Sequence, residues 1–234
     1  IVMITDYQCP DCRRIEGQAR QILTQRKDVS LSIKHFPFCT DCNTTPNVPN
    51  LHPNACWAAR AAETAGMLKG NEGFWRVHHW LFDRAGSFTD AELRAALPTL
   101  GFDAAEFTRR MQSDAAMPFI KADIAEATRL GVIRTPMIFI NGVELDGWTA
   151  APDALLQAVT ALANTSPRPA GPEFDRPPWA GDKYVADWRK QPAMAWRPRE
   201  QPWTTNPATV PAVVIVFGDL LEPNTAEADQ IIRN

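Results

Sequence analysis

The chain opens with IVMITDYQCPDC, residues 1–12, and this stretch decides which fold the sequence can adopt. Its first four residues are apolar, as expected of a buried strand, and the pair Cys9 and Cys12 follows closely. Beyond the pair, apolar residues recur at helical spacing and share one face: Cys12, Ile15, Ala19, Ile22 and Leu23. The stretch therefore predicts a strand, a turn carrying two thiols, and a helix.

The two thiols are predicted to differ in reactivity. Pro10 suits the first position of a helix, where its missing N–H costs nothing, so Cys9 falls at the helix entrance. Unpaired backbone N–H groups and the positive end of the macrodipole stabilise a thiolate there. The pKa of such a thiol falls from about 8.5 to roughly 3.5–7.5. We expect Cys9 to be an exposed attacking thiol and Cys12 a buried resolving thiol.

Charged neighbours should tune this pair. The negative charge of Asp11 should raise the pKa of Cys9, whereas Arg13 and Arg14 should lower it. These opposing effects predict a moderate oxidant or an isomerase-type potential, and not an extreme oxidant.

A second informative element lies far along the chain, at residues 130–145. Pro136 stands at the start of the apolar run Met137–Ile140, and a proline, which cannot donate to a sheet, belongs at the first residue of a strand. Asn141-Gly142 then forms the strongest short hairpin signal. The element predicts a helix end, a short loop, a buried strand and a return strand.

Taken together, residues 1 to about 163 resemble the DsbA branch of the thioredoxin-like family. The matching pieces are the opening strand, Cys9-Pro10-Asp11-Cys12, a strand within residues 32–37, an all-helical stretch, residues 131–136 and the hairpin. The resemblance implies an α/β thioredoxin-like fold with an inserted all-helical subdomain at about residues 54–130.

The resemblance also implies roles for individual residues. By position, Cys9 is the attacking thiol and Cys12 the resolving thiol. Thr135 and Pro136 form the substrate-facing loop, in which the proline is cis in thiol oxidoreductases and leaves nearby backbone free to pair with an extended substrate.

Other positions are implied to tune the cysteine pair. Pro10 and Asp11 lie between the cysteines, and Lys34 matches a strand lysine beneath the active site of some relatives. Met3 is a departure, because many relatives carry there a buried glutamate that assists proton transfer. Asp6 is only a weak substitute for that acid.

Three further cysteines bracket a loop rich in turn formers, residues 38–53. A loop this long and this poor in apolar residues needs a tether, and a Cys42–Cys56 disulfide would supply one. DsbA-like chains with Cys-Asn before such a loop and His-Pro-x-Ala-Cys after it are similar. Two alternatives rank lower: a Cys39–Cys42 pair that relays electrons, and a metal site of these three cysteines with His52.

A zinc site at the first cysteine pair is also conceivable, because Cys-x-x-Cys serves both chemistries. However, Cys9 and Cys12 lie at a strand-to-helix junction, whereas a zinc knuckle prefers a tight turn between strands. Thr135-Pro136 would have no role in a zinc site. We therefore favour redox chemistry and expect no metal and no cofactor beyond the redox-active disulfide.

Helical spacing predicts six further helices, the last of which closes the domain. A capping box, Thr89 to Glu92, opens one of them. His78 and His79 are interpreted as packing and surface residues. The predicted ranges are 54–68, 71–84, a third from residue 89, 103–112, 115–130 and 152–163.

Composition indicates a soluble globular protein of 234 residues with 45% hydrophobic and 22% charged residues. The net charge of −3 and the lack of a basic patch argue against nucleic acid as a partner. The chain also lacks a run of the ~18 apolar residues that a membrane span needs. Five cysteines favour an oxidising, periplasmic or extracytoplasmic location. Because Ile1 already lies inside the predicted first strand, we expect a fragment, and a signal peptide or membrane tether would lie upstream.

The last third of the chain changes character. Residues 164–211 hold ten of the 20 prolines, with tryptophans between them, and predict an extended linker pinned onto a folded surface. Residues 214–229 then line up without gaps against the start of the chain, with Glu222 and Thr225 at the positions of the first two cysteines. We interpret residues 212–234 as the start of a truncated, cysteine-less second thioredoxin-like unit.

The predicted function is thiol–disulfide exchange between a Cys9–Cys12 disulfide and cysteine-containing client proteins, by oxidation or isomerisation. The resemblance implies a membrane partner that reoxidises the pair, either a quinone reductase or a vitamin K epoxide reductase-like protein. The alternatives are a non-catalytic peptide-binding module with a structural disulfide and, less favoured, a cysteine metal site.

Overall fold

The computed structural model describes residues 1–149, 151–163 and 189–190. Apart from residues 189–190, the predicted linker (164–211) and second unit (212–234) lie outside these residues. In chain order the elements are β1 (Val2–Thr5), α1 (Pro10–Gln25), β2 (Ser32–His35), α2 (Ala55–Asp83), α3 (Asp90–Ala96), α4 (Ala104–Gln112), a 3-10 helix (Asp114–Ala116), α5 (Met117–Arg129), β3 (Met137–Ile140), β4 (Val143–Glu144) and α6 (Ala154–Ala163).

The four strands form one mixed sheet in the order β2-β1-β3-β4. β1 runs parallel to β2 and antiparallel to β3, and β3 pairs antiparallel with β4. Parallel neighbours need a crossover connection, which α1 provides between β1 and β2. This arrangement confirms the predicted α/β thioredoxin-like fold with an all-helical stretch between its two halves.

Helices cover both faces of the sheet. Met3 and Ile138 are register partners, and both belong to a buried cluster that also contains apolar residues of α1 and α6. The adjacent strand residues Ile4 and Phe139 belong to a second cluster with apolar residues of α5. Successive side chains of a strand point to opposite faces, so a fully apolar strand fits only between two helical layers.

The helical region follows the predicted pattern with small shifts at the ends. The two helices predicted at residues 54–68 and 71–84 form one element, α2, which is interrupted by non-helical backbone at Lys69 and Gly70. Gly70 has φ of +62°, in the left-handed region that glycine tolerates best. The predicted break is therefore correct, and it divides one long helix into two segments.

The hairpin that closes the sheet is also confirmed. Asn141 and Gly142 have φ of +51° and +77°, as expected of a two-residue turn with both central residues left-handed. Across the parts of the chain that the structure describes, no helix has the length and apolar character needed to cross a membrane.

The two-layer burial of β3 makes a stability prediction. Ile138 is 0% exposed, so Ile138→Ala should reduce the free energy of unfolding by about 2–5 kcal/mol. Val143→Ala on the edge strand, where the side chain is 56% exposed, should change it by less than about 0.5 kcal/mol. Urea unfolding of both variants checks this, and equal losses would contradict the assigned sheet faces.

Candidate active site

Cys9 occupies the N-cap of α1, and Pro10 takes an N-terminal helical position. The Cys9 backbone is extended, with φ of −74° and ψ of 122°, as is usual for a cap. The backbone N–H of Cys12 donates to Cys9 Sγ at 3.4 Å, so the sulfur takes the place of a capping oxygen. A sulfur in this place lies at the positive end of the helix macrodipole.

The two thiols differ strongly in acidity. A hydrogen bond with the Cys12 side chain lowers the pKa of Cys9 to about 6, against the effect of burial and with further help from the Cys12 backbone and Thr135. Burial raises the pKa of Cys12 well above its usual value, and the adjacent Cys9 adds to the rise. At neutral pH the reduced pair therefore holds a thiolate at Cys9 and a thiol at Cys12.

The predicted exposure of Cys9 is wrong. The residue is only 7% exposed and Cys12 is 0% exposed. Cys9 Sγ lies 3.5 Å from the carbonyl oxygen of Thr135, to which it donates only when protonated, and the peptide bond from Thr135 to Pro136 is cis. The loop before β3 therefore covers the sulfur, a contact between residues 126 positions apart that periodicity cannot anticipate.

The carboxylate of Asp11 is paired with a cation of the same helix. Its carboxylate lies 3.6 Å from the guanidinium of Arg14 in the next turn of α1. The part of Asp11 that acts on Cys9 is the backbone N–H, which lowers the pKa of the thiol. Hydrogen bonds at the helix end, more than the side-chain charges of its first turn, therefore set the acidity of Cys9.

Asp6 lies buried in the loop between β1 and α1. Its Oδ1 accepts from the backbone N–H of Gln8 at 2.7 Å, and its Oδ2 accepts from the backbone N–H of Phe38 at 2.8 Å. Oδ2 also binds Nδ1 of His52 at 2.8 Å. Three donors satisfy the hydrogen-bonding needs of this buried carboxylate. Asp6 is therefore held in a defined position beside the cysteine turn.

His52 is the site residue that sequence reasoning missed. The hydrogen bond to Asp6 raises the pKa of His52, burial opposes this, and the charges of Asp6 and Cys9 raise it further. The sequence argument considered this histidine only as a metal ligand. Its position within the His-Pro-x-Ala-Cys segment was the available signal, but the partner is 46 residues away.

Lys34 forms ion pairs with two carboxylates. Its ammonium lies 3.2 Å from Asp123 and 2.7 Å from Glu126, both on α5. Burial lowers the pKa of Lys34, but the hydrogen bond to Glu126 and the charge of Asp123 outweigh this and raise it. Met3, where an acid would assist proton transfer, is 0% exposed in the apolar cluster beneath α1.

The remaining cysteines adopt the arrangement favoured from the sequence, a Cys42–Cys56 disulfide with Cys39 left as a thiol. Cys42 and Cys56 form a disulfide with their Cα atoms 5.8 Å apart. Cys39 is a buried thiol that donates to the carbonyl oxygen of Pro53 at 3.3 Å. Neither the Cys39–Cys42 pair nor the metal site with His52 forms among these residues, because Cys42 is bonded to Cys56 and His52 to Asp6.

One cluster within the described residues has metal-ligand chemistry. Atoms of Glu16, His78 and His79 lie within 4.8 Å of one another, and Glu16 and His78 are buried. However, Arg20 donates to both oxygens of Glu16, each at 3.0 Å. His78 Nδ1 lies 2.9 Å from the hydroxyl of Tyr7. The carboxylate already has a cationic partner, so the cluster is explained as an internal polar network.

A cavity of about 150 Å³ lies beside Pro136, the residue that follows Thr135, whose carbonyl oxygen is 3.5 Å from Cys9 Sγ. Ile133, on its wall, is 77% exposed, which is unusual for a large aliphatic side chain. Trp148 also lines the cavity and carries the guanidinium of Arg14 over its ring at 5.3 Å. The cavity therefore combines apolar residues with the charged residues Arg134, Glu144 and Asp146, which also line it.

The acidity of Cys9 makes a kinetic prediction. Alkylation of the reduced protein at Cys9 should rise with pH around a midpoint of about 6, because only the thiolate reacts. Cys12 should remain unmodified over the same range. Peptide mass spectrometry after timed exposure to iodoacetamide checks both statements, with Cys9→Ser as the control. A midpoint near about 8.5, the value of an unperturbed thiol, would contradict the capping argument.

Comparison with known families agrees with this geometry. A family model described as a DSBA-like thioredoxin domain matches residues 1–160. A thiol-disulfide exchange protein of Wolbachia pipientis, alpha-DsbA2, superposes with a TM-score of 0.52 at 23% identity, over 69% of this chain and 80% of that one. Pseudomonas aeruginosa DsbA2 gives a TM-score of 0.53 at 23% identity, over 71% and 90%. At these identities the superpositions establish a shared fold.

Curated relatives carry a different name. A Na(+)/H(+) antiporter NhaA 1 of Salinispora arenicola is 31% identical over 170 residues, which are 72% of this chain and 24% of the antiporter. A protein of the same name from Mycolicibacterium vanbaalenii is 29% identical over 165 residues, or 69% and 24%. The chain thus spans about a quarter of the length of the curated relatives it matches.

Proposed function

Because the chain belongs to the DSBA-like thioredoxin domain family, we propose that it is a thiol–disulfide oxidoreductase acting through Cys9 and Cys12. The observation that carries the proposal is the asymmetry of the pair. Cys9 caps a helix and has a pKa of about 6, whereas the adjacent Cys12 is fully buried with its pKa raised. A purely structural disulfide requires no such difference.

The proposed reaction oxidises a client in two exchange steps. A client thiolate attacks Cys9 of the Cys9–Cys12 disulfide, so that bond breaks and its electron pair moves to Cys12, which takes up a proton. A second client thiolate then attacks the client sulfur of the mixed disulfide. The bond to Cys9 breaks, Cys9 leaves as a thiolate, and the client has lost two electrons as a disulfide.

The direction of exchange follows from the stability of the products. Thiols of low pKa leave faster, and a stabilised reduced form makes a disulfide a stronger oxidant. A pKa near 6 lies within the range of helix-capping cysteines but well above the lowest values, which supports the moderate oxidant or isomerase-type potential expected from the sequence.

The cavity beside Pro136 supports a protein client. The exposed Ile133 offers apolar contact to residues next to a client cysteine, and the largely buried Trp148 lines the same cavity. Arg134, Glu144 and Asp146 line the same cavity, so it joins apolar to charged groups, and an extended polypeptide segment offers both kinds of contact. We therefore assign cysteine-containing polypeptides as substrates.

Regeneration of the disulfide requires an electron acceptor. We propose a membrane redox partner of the quinone reductase or vitamin K epoxide reductase-like type. The Cys42–Cys56 disulfide supports a periplasmic or extracytoplasmic location, where structural disulfides persist. The antiporter names support membrane tethering, with this chain as the redox portion of a longer transporter polypeptide.

Equilibration with glutathione tests the function directly. A catalytic Cys9–Cys12 pair should have a reduction potential above about −300 mV, whereas a structural disulfide should lie below it. Cys42 and Cys56 provide an internal comparison that should stay oxidised in the same samples. Quantitative thiol trapping and mass spectrometry distinguish the two pairs. A Cys9–Cys12 bond that stays oxidised together with Cys42–Cys56 would support the non-catalytic peptide-binding alternative.

A trapping variant tests the order of attack. Cys12→Ser should accumulate a mixed disulfide with an oxidised client, because the resolving thiol is missing and the Cys9–client bond persists. Cys9→Ser should form none, and Cys39→Ser should behave as the unmodified protein does. Non-reducing electrophoresis with peptide mapping measures the adduct, and an adduct on Cys39 would contradict the assignment.

A further inference from the structure

Asp6, Phe38 and His52 form a closed ring of hydrogen bonds next to the cysteine pair. The Phe38 N–H donates to Asp6 Oδ2 at 2.8 Å, and the His52 N–H donates to the Phe38 carbonyl at 2.9 Å. His52 Nδ1 closes the ring on Asp6 Oδ2 at 2.8 Å. Both the backbone and the ring of His52 are therefore fixed, so its orientation is part of the fold.

This ring is attached to both redox cysteines through the backbone of Asp6. The Cys9 N–H donates to the Asp6 carbonyl at 3.2 Å. The Asp6 N–H lies 3.5 Å from Cys12 Sγ. Asp6 thus orients the His52 imidazole with its side chain and contacts both redox cysteines with its backbone.

A second link joins the cysteine turn to the loop that carries His52. The side-chain oxygen of Gln8 accepts from the backbone N–H of Asn54 at 2.7 Å. The same loop is tethered at both ends by the Cys42–Cys56 disulfide. Two hydrogen-bonded loops and a covalent tether therefore hold the imidazole in place.

The negative charges of Asp6 and Cys9 favour a positive charge on His52. Asp6 contributes a carboxylate with a fully buried side chain, and Cys9 contributes a thiolate once the pair is reduced. Because Nδ1 is committed to Asp6, the ionising proton of His52 resides on Nε2. The ionisable groups that act on this imidazole are Asp6 and Cys9, and both favour its charged form.

Resting on the proposed redox function, we propose that His52 is a positioning residue whose imidazolium, oriented by Asp6, stabilises the Cys9 thiolate in the reduced enzyme. In the second exchange step, the sulfur–sulfur bond to the client breaks and its electron pair stays on Cys9. His52 transfers no proton in that step; it stabilises the negative charge that the sulfur acquires. The histidine comes from a loop outside the Cys-x-x-Cys motif, so the motif alone does not determine the potential.

Substitution of His52 tests the charge. His52→Gln can still donate to Asp6 but cannot ionise, so the pKa of Cys9 should rise by about one unit, a tenfold effect. The equilibrium with glutathione should shift up to about tenfold towards the protein disulfide, or about 30 mV. His79→Gln, a half-exposed histidine on α2, is the matched control and should leave both values unchanged. Thiolate ultraviolet absorbance and redox titration give the two readouts.

A measurement on the unmodified protein is independent of any variant's folding. Coupling between two ionising groups is mutual, so the pKa of His52 should fall by a similar amount when Cys9 and Cys12 are oxidised to the disulfide. Titration of the imidazole resonance by NMR in the dithiol and disulfide states measures this. A His52 pKa that is the same in both states, or a Cys9 pKa unmoved by His52→Gln, would overturn the inference.

Failure of the inference can be distinguished from failure of the proposed function. If both pKa shifts appear but the protein catalyses no exchange with reduced, unfolded clients, the charge coupling stands and the oxidoreductase assignment falls. If His52→Gln exchanges thiols with an unchanged potential and neither shift appears, the assignment stands and the coupling is refuted.

Discussion

The hydrogen bond from the Cys12 backbone N–H to Cys9 Sγ connects the fold with the chemistry. It exists because α1 begins immediately after a buried strand, with Pro10 at its N-terminus. The start of a helix has unpaired N–H groups that need an acceptor, and here the acceptor is a sulfur. The same geometry lowers the pKa of Cys9 and buries Cys12 one turn later, so a requirement of helix formation also produces two unequal thiols.

Local patterns predicted most of the fold. The strand, the N-terminal proline of α1, the interruption of α2 at Gly70 and the Asn141-Gly142 turn each depend on a few neighbouring residues, whose backbone preferences are encoded in side-chain type. The pairing order of the strands was not predicted, because it depends on contacts between segments far apart in the chain. Element bounds shifted by a few residues, since end positions depend on capping contacts that are partly tertiary.

The site was predictable in its motif but not in its surroundings. Thr135 covers Cys9, and His52 binds Asp6, through contacts that span 126 and 46 positions. No local pattern encodes such distances. Asp11 is a complementary case: its proximity in sequence suggested an electrostatic effect on Cys9, and in the structure its carboxylate lies beside Arg14 while its backbone N–H lowers the pKa of Cys9. Sequence separation is thus a poor guide to which charges act on a buried sulfur.

The domain contains two cysteine pairs with opposite requirements, and local structure separates them. Cys42 and Cys56 are both buried and tether a loop, and neither caps a helix with its sulfur in the way Cys9 does. Reduction of the Cys42–Cys56 bond would produce two thiols that no helix end stabilises in this way. It would also release the loop that carries His52. The disulfide form of this pair is therefore favoured. At Cys9, the helix end stabilises the reduced form instead. The two pairs are therefore built to respond differently to the same redox conditions.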